Sequence, residues 1–237
     1  MSYTHHISTG TCALCHESLS KSAVSRHLAA CLAQLPASAS VRGFHLLVEG
    51  AGAPQYWMHL AARADAELGD LDDFLREAWL ECCSHCSAFT IAGRRYDITD
   101  DRVGWLQKDD QGMQTKLVDV LRPHLAFEYE YDFGSTTELA LRVIAELPRM
   151  PRGKAIQLLA LNDAPSYPCS LCGKPAQVVD LEGEQLLCKA CAKDNATEDM
   201  VLALVNSPRT GVCAYEGPVI HLPKRRPPSS RRRAVGA

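Results

Sequence analysis

Between residues 41 and 147 the apolar and polar positions fall into legible periods. Phe44, Leu46 and Val48 alternate with His45, Leu47 and Glu49, and Tyr56, Met58 and Leu60 repeat the two-residue spacing, so each stretch predicts a strand. Leu71, Phe74, Leu75, Ala78 and Cys82 follow helical spacing. Asp70 is the expected N-cap of that helix, with Asp72 and Asp73 in a first turn whose dipole favours carboxylates. Phe89 and Ile91 begin another strand that turns at Gly93, and Thr115 opens a short helix over 117–121 that Pro123 stops. The clearest strand covers 125–133. Leu125, Phe127, Tyr129, Tyr131 and Phe133 share one face; Ala126, Glu128, Glu130 and Asp132 share the other. Gly134-Ser135 turns this strand into Leu139, Leu141 and Val143, a predicted hairpin. Such alternation suits antiparallel pairing, in which one face stays wet. The expected fold class is α+β, a mainly antiparallel sheet with packed helices.

Outside that block the periods give way to punctuation. Residues 1–35 hold a cysteine cluster, and Ala37-Ser-Ala-Ser40 reads as a linker to the 41–147 domain. Residues 148–168 carry four prolines and read as a connection with one helical turn near 155–161. A second cysteine cluster occupies 169–215. The Pro/Ser/Arg-rich tail, 222–237, has almost nothing to bury and is expected to be disordered.

Composition adds three constraints. Apolar residues make up 46% of the 237, enough for a core in the middle of the chain. No apolar run reaches the ~18 residues a membrane helix needs, and the first residues lack a basic region followed by an apolar stretch, so a soluble cytoplasmic protein without membrane contact is expected. Eleven cysteines in a reducing compartment point to metal rather than disulfides.

Cys12-x2-Cys15-x11-His27-x3-Cys31 has zinc-finger spacing: a knuckle gives two ligands, and His27 and Cys31 share one face of a helix. Leu19 and Val24 are the expected core residues of a segment that, at about 30 residues, buries too little to fold alone. It resembles the ββα finger family, with a final cysteine for histidine. By that resemblance the base-reading positions fall on Ser20, Ala23 and Arg26, of which only Arg26 offers a strong base contact. Cys169-x2-Cys172 and Cys188-x2-Cys191 form two knuckles enclosing a hairpin of residues 177–180 and 184–187. Four thiolates close the coordination sphere, so the site reads as structural. With 190–205 read as helical, this module resembles a zinc ribbon or treble clef. Zinc is preferred to rubredoxin-type iron, because rubredoxin's glycine-rich loops are only half present. Two structural Zn2+ ions are therefore expected.

Other groupings have blander readings. Cys82-Cys83-Ser84-His85-Cys86 suggests a metal site or a Cys/His nucleophile, but Cys82 continues the helix's apolar face and buried cysteine packs as a small apolar residue. Cys213 is expected to be buried, with a role as a substitute ligand the lesser reading. Glu128, Glu130 and Asp132 read as an ordinary solvated face. No phosphate-binding glycine loop, Gly-x-Ser-x-Gly elbow or His-Glu-x-x-His is present, so nothing requires an enzyme or identifies a small-molecule substrate. The net charge of −3 is unevenly spread. Residues 37–165 set thirteen cations against twenty acids, whereas Lys224, Arg225, Arg226, Arg231, Arg232 and Arg233 have no acid among them. Any affinity for nucleic acid must come from the ends of the chain.

Phe74-Leu-Arg-Glu-Ala-Trp79, Ser87-Ala-Phe-Thr-Ile-Ala-Gly-Arg-Arg-Tyr96 and Phe127-Glu-Tyr-Glu-Tyr-Asp-Phe-Gly134 resemble, in order and spacing, the plasmid pRiA4b ORF-3-like family over roughly residues 41–146. Members often follow that glycine with Asp-x-Trp; Ser135-Thr-Thr137 stands here. The resemblance implies an α+β fold and occurrence on plasmids and mobile elements, with no established activity. The functional expectation is a non-enzymatic zinc-binding accessory protein that engages nucleic acid weakly through its termini. A protein-interaction adaptor is the alternative, and an unrecognised enzyme using His85 or the acidic strand is the third reading.

Overall fold

The computed structural model describes residues 8–35, 41–97 and 112–218. The 37–40 linker and the 222–237 tail, with Lys224, Arg225, Arg226, Arg231, Arg232 and Arg233, lie outside the described residues.

The chain opens with β1 (Thr9–Cys12), β2 (Ser18–Ser20) and α1 (Lys21–Ala33). Then come β3 (Gly43–Gly50), β4 (Ala53–Arg63) and α2 (Leu68–Leu75), which runs into a π-helical turn, Arg76–Leu80. β5 (Ser87–Ile91), β6 (Arg94–Asp97), α3 (Leu117–Val120), β7 (Ala126–Tyr131), β8 (Thr137–Leu147) and β9 (Ile156–Asn162) follow. The C-terminal part holds β10 (Val178–Asp180), β11 (Gln185–Leu187), α4 (Lys189–Asn195), a 3-10 turn at Glu198–Met200 and β12 (Val201–Ala203). The fold is α+β, as the alternation predicted.

Among the described residues, nine strands form one sheet in the order β2-β1-β9-β4-β3-β8-β7-β5-β6, and β11-β10-β12 form a second. Every described pairing is antiparallel. The large sheet is buried on both faces at its centre: every position of β3 but Glu49, and Tyr56–Ala62 of β4, is buried. Phe44, Leu46, Val48, Tyr56, Met58 and Leu60 face α2 and the π-turn, where Leu68, Leu71, Leu75, Ala78 and Trp79 cover them. Leu47, Trp57 and Ala61 face the other way, against Val24 and Leu28 of α1.

Several expectations need correction. The 148–168 segment is not a bare connection: in place of a helical turn it carries β9, paired with both β1 and β4. A register shift opposite His59/Leu60 puts an extra residue, Leu159, into β9. Ile156, Leu158 and Leu161 therefore reach one core while Leu159 and Ala160 reach the other, so the apolar spacing imitates a helix. Residues 190–205 are not one helix but α4, a 3-10 turn and β12. Asp70 is not the N-cap; Glu67 is, and Asp70 Oδ2 accepts the Glu67 N–H at 2.9 Å in a capping box. Asp72 is buried, accepting Ser87 Oγ–H at 2.6 Å and Tyr129 O–H at 2.7 Å. Phe133 lies past the end of β7, exposed, with the Arg95 guanidinium 4.8 Å above its ring.

Across β3 and β4, His45 Nε2 and His59 Nδ1 meet at 2.8 Å. Burial pushes His45 down to about 4 and, with the His45 charge next in weight, His59 down to about 3. Both rings are neutral in the fold and titrate near 6.5 when unfolded. Below pH 6.5 the unfolded chain takes up protons that the folded chain refuses. Stability therefore falls as pH drops from 6.5 towards 4, by about 1.4 kcal/mol per pH unit for one histidine. A His45→Leu/His59→Leu variant, which removes both partners of the bond, is expected to show a shallower acid slope in urea unfolding between pH 7 and 4.5. Parallel slopes for variant and wild type would refute this.

Candidate metal centres

At the N-terminus β1, β2 and α1 make the expected ββα arrangement. The knuckle turns at His16, which is exposed with φ 63°, and its N–H bonds the Cys12 carbonyl at 2.9 Å. α1 brings His27 and Cys31 to the knuckle. His27 Nε2 lies 3.2 Å from both Cys15 Sγ and Cys31 Sγ, and the ligand atoms of Cys12, Cys15, His27 and Cys31 all fall within 4.8 Å of one another. Glu17 Oε2 stands 3.6 Å from the ring's other nitrogen, Nδ1, leaving Nε2 for an ion. A tetrahedral zinc with Zn–S near 2.3 Å and Zn–N near 2.0 Å has edges of roughly 3.5–3.8 Å, so this set fits one with only slight expansion. Burial raises the Cys12 thiol and pushes Cys31 up to about 12, so thiolates here need a compensating cation.

This finger does not stand alone. β1 pairs with β9, and Val24 and Leu28 share a core with Trp57 and Leu159. Gly10 permits the approach, since a Cβ there would collide with the Leu161 carbonyl and the Trp57 ring. Leu19 is half-buried against the same core and Val24 fully buried, as expected. Of the base-reading positions, Arg26 is exposed while Ser20 and Ala23 are half-buried.

At the other end, Cys169, Cys172, Cys188 and Cys191 converge from two knuckles with all four sulfurs within 4.8 Å, and Cys172 Sγ to Cys188 Sγ is 3.7 Å, a tetrahedral edge. β10 and β11 form the expected hairpin between them. Gly173, at φ 72°, turns the first knuckle. The Cys188 N–H, followed by those of Cys172 and Leu171, holds Cys169 down to about 6, and the Cys191 N–H lowers Cys188. Two of the four sulfurs are thus biased towards the thiolate that a metal requires. The contact with Cys172 pushes Cys191 up to about 12.

A third gathering forms at the cysteine run for which packing is the preferred reading of the sequence. Cys82, Cys83 and His85 meet Cys213 with their ligand atoms within 4.8 Å, and Cys213 is exposed rather than buried. Cys86 is exposed outside the group. Local spacing carried half the signal, a Cys-Cys-x-His run; Cys213, far along the chain, carried the rest. Asp132 was also misplaced. Its φ of 65° turns it off the face of Glu128 and Glu130 to meet Arg209, whose Nη2 donates to Oδ2 at 2.7 Å. Arg209 holds the Asp132 carboxyl down to about 2. Glu130 pairs with Arg95 at 2.7 Å, so the three acids form no cluster.

The family model described as "Plasmid pRiA4b ORF-3-like protein" matches residues 44–175, more than half of the 237. The match runs past the expected 146 to include β9, Cys169 and Cys172. A crystal structure of a protein of unknown function from Methanosarcina mazei Go1 is similar at 20% identity and a TM-score of 0.42, covering 51% of this chain and 69% of that one. No curated protein matches.

Proposed function

This chain belongs to the plasmid pRiA4b ORF-3-like family, and on that premise we propose a non-enzymatic accessory protein of plasmid or mobile-element biology, organised by structural zinc, that contacts nucleic acid weakly through its ends. The observation that carries the reading is the pair of complete four-donor sets, Cys12/Cys15/His27/Cys31 and Cys169/Cys172/Cys188/Cys191. A tetrahedral ion held by four side chains has no open position for water or substrate, so its contribution is shape. The soft sulfur-rich donors favour zinc over magnesium or calcium. The nucleic-acid contacts are assigned to exposed Arg26, on a helix without acidic residues, and to the cations at 224–226 and 231–233. Because α1 spends its apolar face on the sheet, backbone contact is favoured over base reading.

The test is fluorescence anisotropy with a duplex oligonucleotide across a salt series. Affinity should fall steeply with salt; Arg26→Ala should reduce the slope by about 1, and deleting 222–237 by about 5. No binding at low salt, or a slope untouched by both changes, removes the assignment.

A second reading, a protein-interaction adaptor, is favoured by two exposed apolar side chains on the four-cysteine module, Leu171 (52%) on the knuckle itself and Met200 (39%). A partner lost on Leu171→Asp but kept without the tail would favour it over nucleic acid.

A further inference from the structure

Two stretches that the end modules leave unexplained meet beside the large sheet. One is the loop after the π-turn, which carries Cys82, Cys83 and His85; the other is the last described segment, residues 204–218, which carries Cys213. We propose that these four side chains bind a third transition-metal ion, a three-sulfur, one-nitrogen zinc site, and that this ion clasps the 204–218 strap to the central sheet.

Distance is the first argument. Cys83 Sγ to Cys213 Sγ is 3.8 Å and Cys213 Sγ to His85 Nε2 is 3.7 Å. These match the edges of a tetrahedral site, roughly 3.5–3.8 Å, as well as those in the two terminal groups do. The donor set is the second. Three thiols and an imidazole, with no carboxylate among them, form a combination that selects zinc over the hard cations.

The backbone supplies an independent parallel. In both terminal groups the residue just after the second cysteine of a knuckle takes a positive φ: His16 after Cys15 at 63° and Gly173 after Cys172 at 72°. Ser84, just after Cys83, does the same at 57°. Non-glycine residues seldom adopt this conformation. Here the Ser84 N–H is held by Glu81 Oε1 at 2.6 Å.

Charge is the fourth observation. Three thiolates around a dication leave one net negative charge, and the Arg209 guanidinium lies beside it, with Nη2 3.4 Å from Cys82 Sγ, although it is shared with Asp132, whose Oδ2 stands 3.6 Å from His85 Nε2. The same arginine anchors the strap: Ser207 Oγ donates to the Trp79 carbonyl at 2.6 Å, and Arg209 is fully buried. The ion would tie Cys83 to a residue 130 positions away, closing a long loop across the four-cysteine module. Cys83 and Cys213 are exposed, so the ion has an entry path.

The full chain, purified after expression with added zinc, is read by native mass spectrometry. Three zinc ions per chain are expected. Cys213→Ser and Cys83→Ser should each give two, with the 204–218 strap newly open to limited proteolysis, and Cys86→Ser should keep three. Should Cys213→Ser fail to fold, Cys83→Ser carries the test. An ion count in both variants unchanged from that of zinc-saturated wild type would overturn the proposal. So would a metal-free chain in which peptide mapping places a Cys83–Cys213 disulfide. The wild-type total rests on both terminal sites of the proposed function being filled, whereas the difference between wild type and variant reads the third site alone; neither bears on nucleic-acid binding.

Discussion

Replacing Cys169 by serine, or stripping the four-cysteine module with a chelator, is expected to unfold residues 169–203 while the nine-stranded sheet stays intact. The reason is the module's own core. Its buried apolar residues are Cys169, Leu187, Cys188 and Ala192, with Val178, Cys191 and Ala196 packed alongside. Three of these seven are proposed ligands, so removing the ion removes both the cross-link and the reason the sulfurs can be buried. What remains is two short hairpin strands, a third strand and a seven-residue helix, which cannot offset their conformational entropy. Structural zinc contributes on the order of 10 kcal/mol in modules of this size. Hydrogen exchange would read the effect: β10, β11 and β12 should lose protection while β3, β4 and β8 keep theirs. The same change in the finger, Cys15→Ser, should cost less, since Val24 and Leu28 remain docked on the sheet. Undiminished protection in β10 and β11 of the metal-free protein would show that the module folds by some other means.

Arg209→Ala has the next largest expected effect, a loss of about 3–5 kcal/mol, seen as a fall in Tm of roughly 10 °C. Arg209 has no exposed surface. It donates to Asp132 Oδ2 at 2.7 Å, to Thr137 Oγ1 at 3.0 Å and to the Ser135 carbonyl at 3.1 Å, and its guanidinium lies 4.8 Å from the Tyr131 ring centre. Truncation leaves the Asp132 carboxylate, itself buried, without its counter-charge and empties a large volume beside Tyr131. Arg209→Lys should recover only part of the loss, because an ammonium cannot reach three acceptors in the plane of a guanidinium fork. A double-mutant cycle with Asp132→Asn would isolate the pair. A cycle with no coupling would show that the Arg209–Asp132 pair contributes nothing to stability, and an Arg209→Ala protein as stable as wild type would refute the prediction.

The parts that could be read along the chain share a property: their signal is local. The β7–β8 hairpin was legible because Phe127, Tyr129 and Tyr131 alternate and Gly134 follows. The two terminal donor groups were legible because a knuckle needs only two intervening residues and a helix places His27 and Cys31 on one face. Where a local irregularity intervened, the reading failed. The extra residue in β9 turned a strand pattern into an apparent helix, and the positive φ at Asp132 moved an acid from the wet face into a buried ion pair.

The sequence by itself thus determined the fold class, the metal-ligand candidates at both ends and the family. The tertiary structure alone decided that the finger joins the main sheet through β9, that Arg209 reaches Asp132, and that Cys213 comes to Cys82, Cys83 and His85. The difference is one of range. Side-chain periodicity and knuckle spacing are set by the dihedrals of a few consecutive residues, whereas a contact between positions 83 and 213 exists only once every intervening strand has found its register.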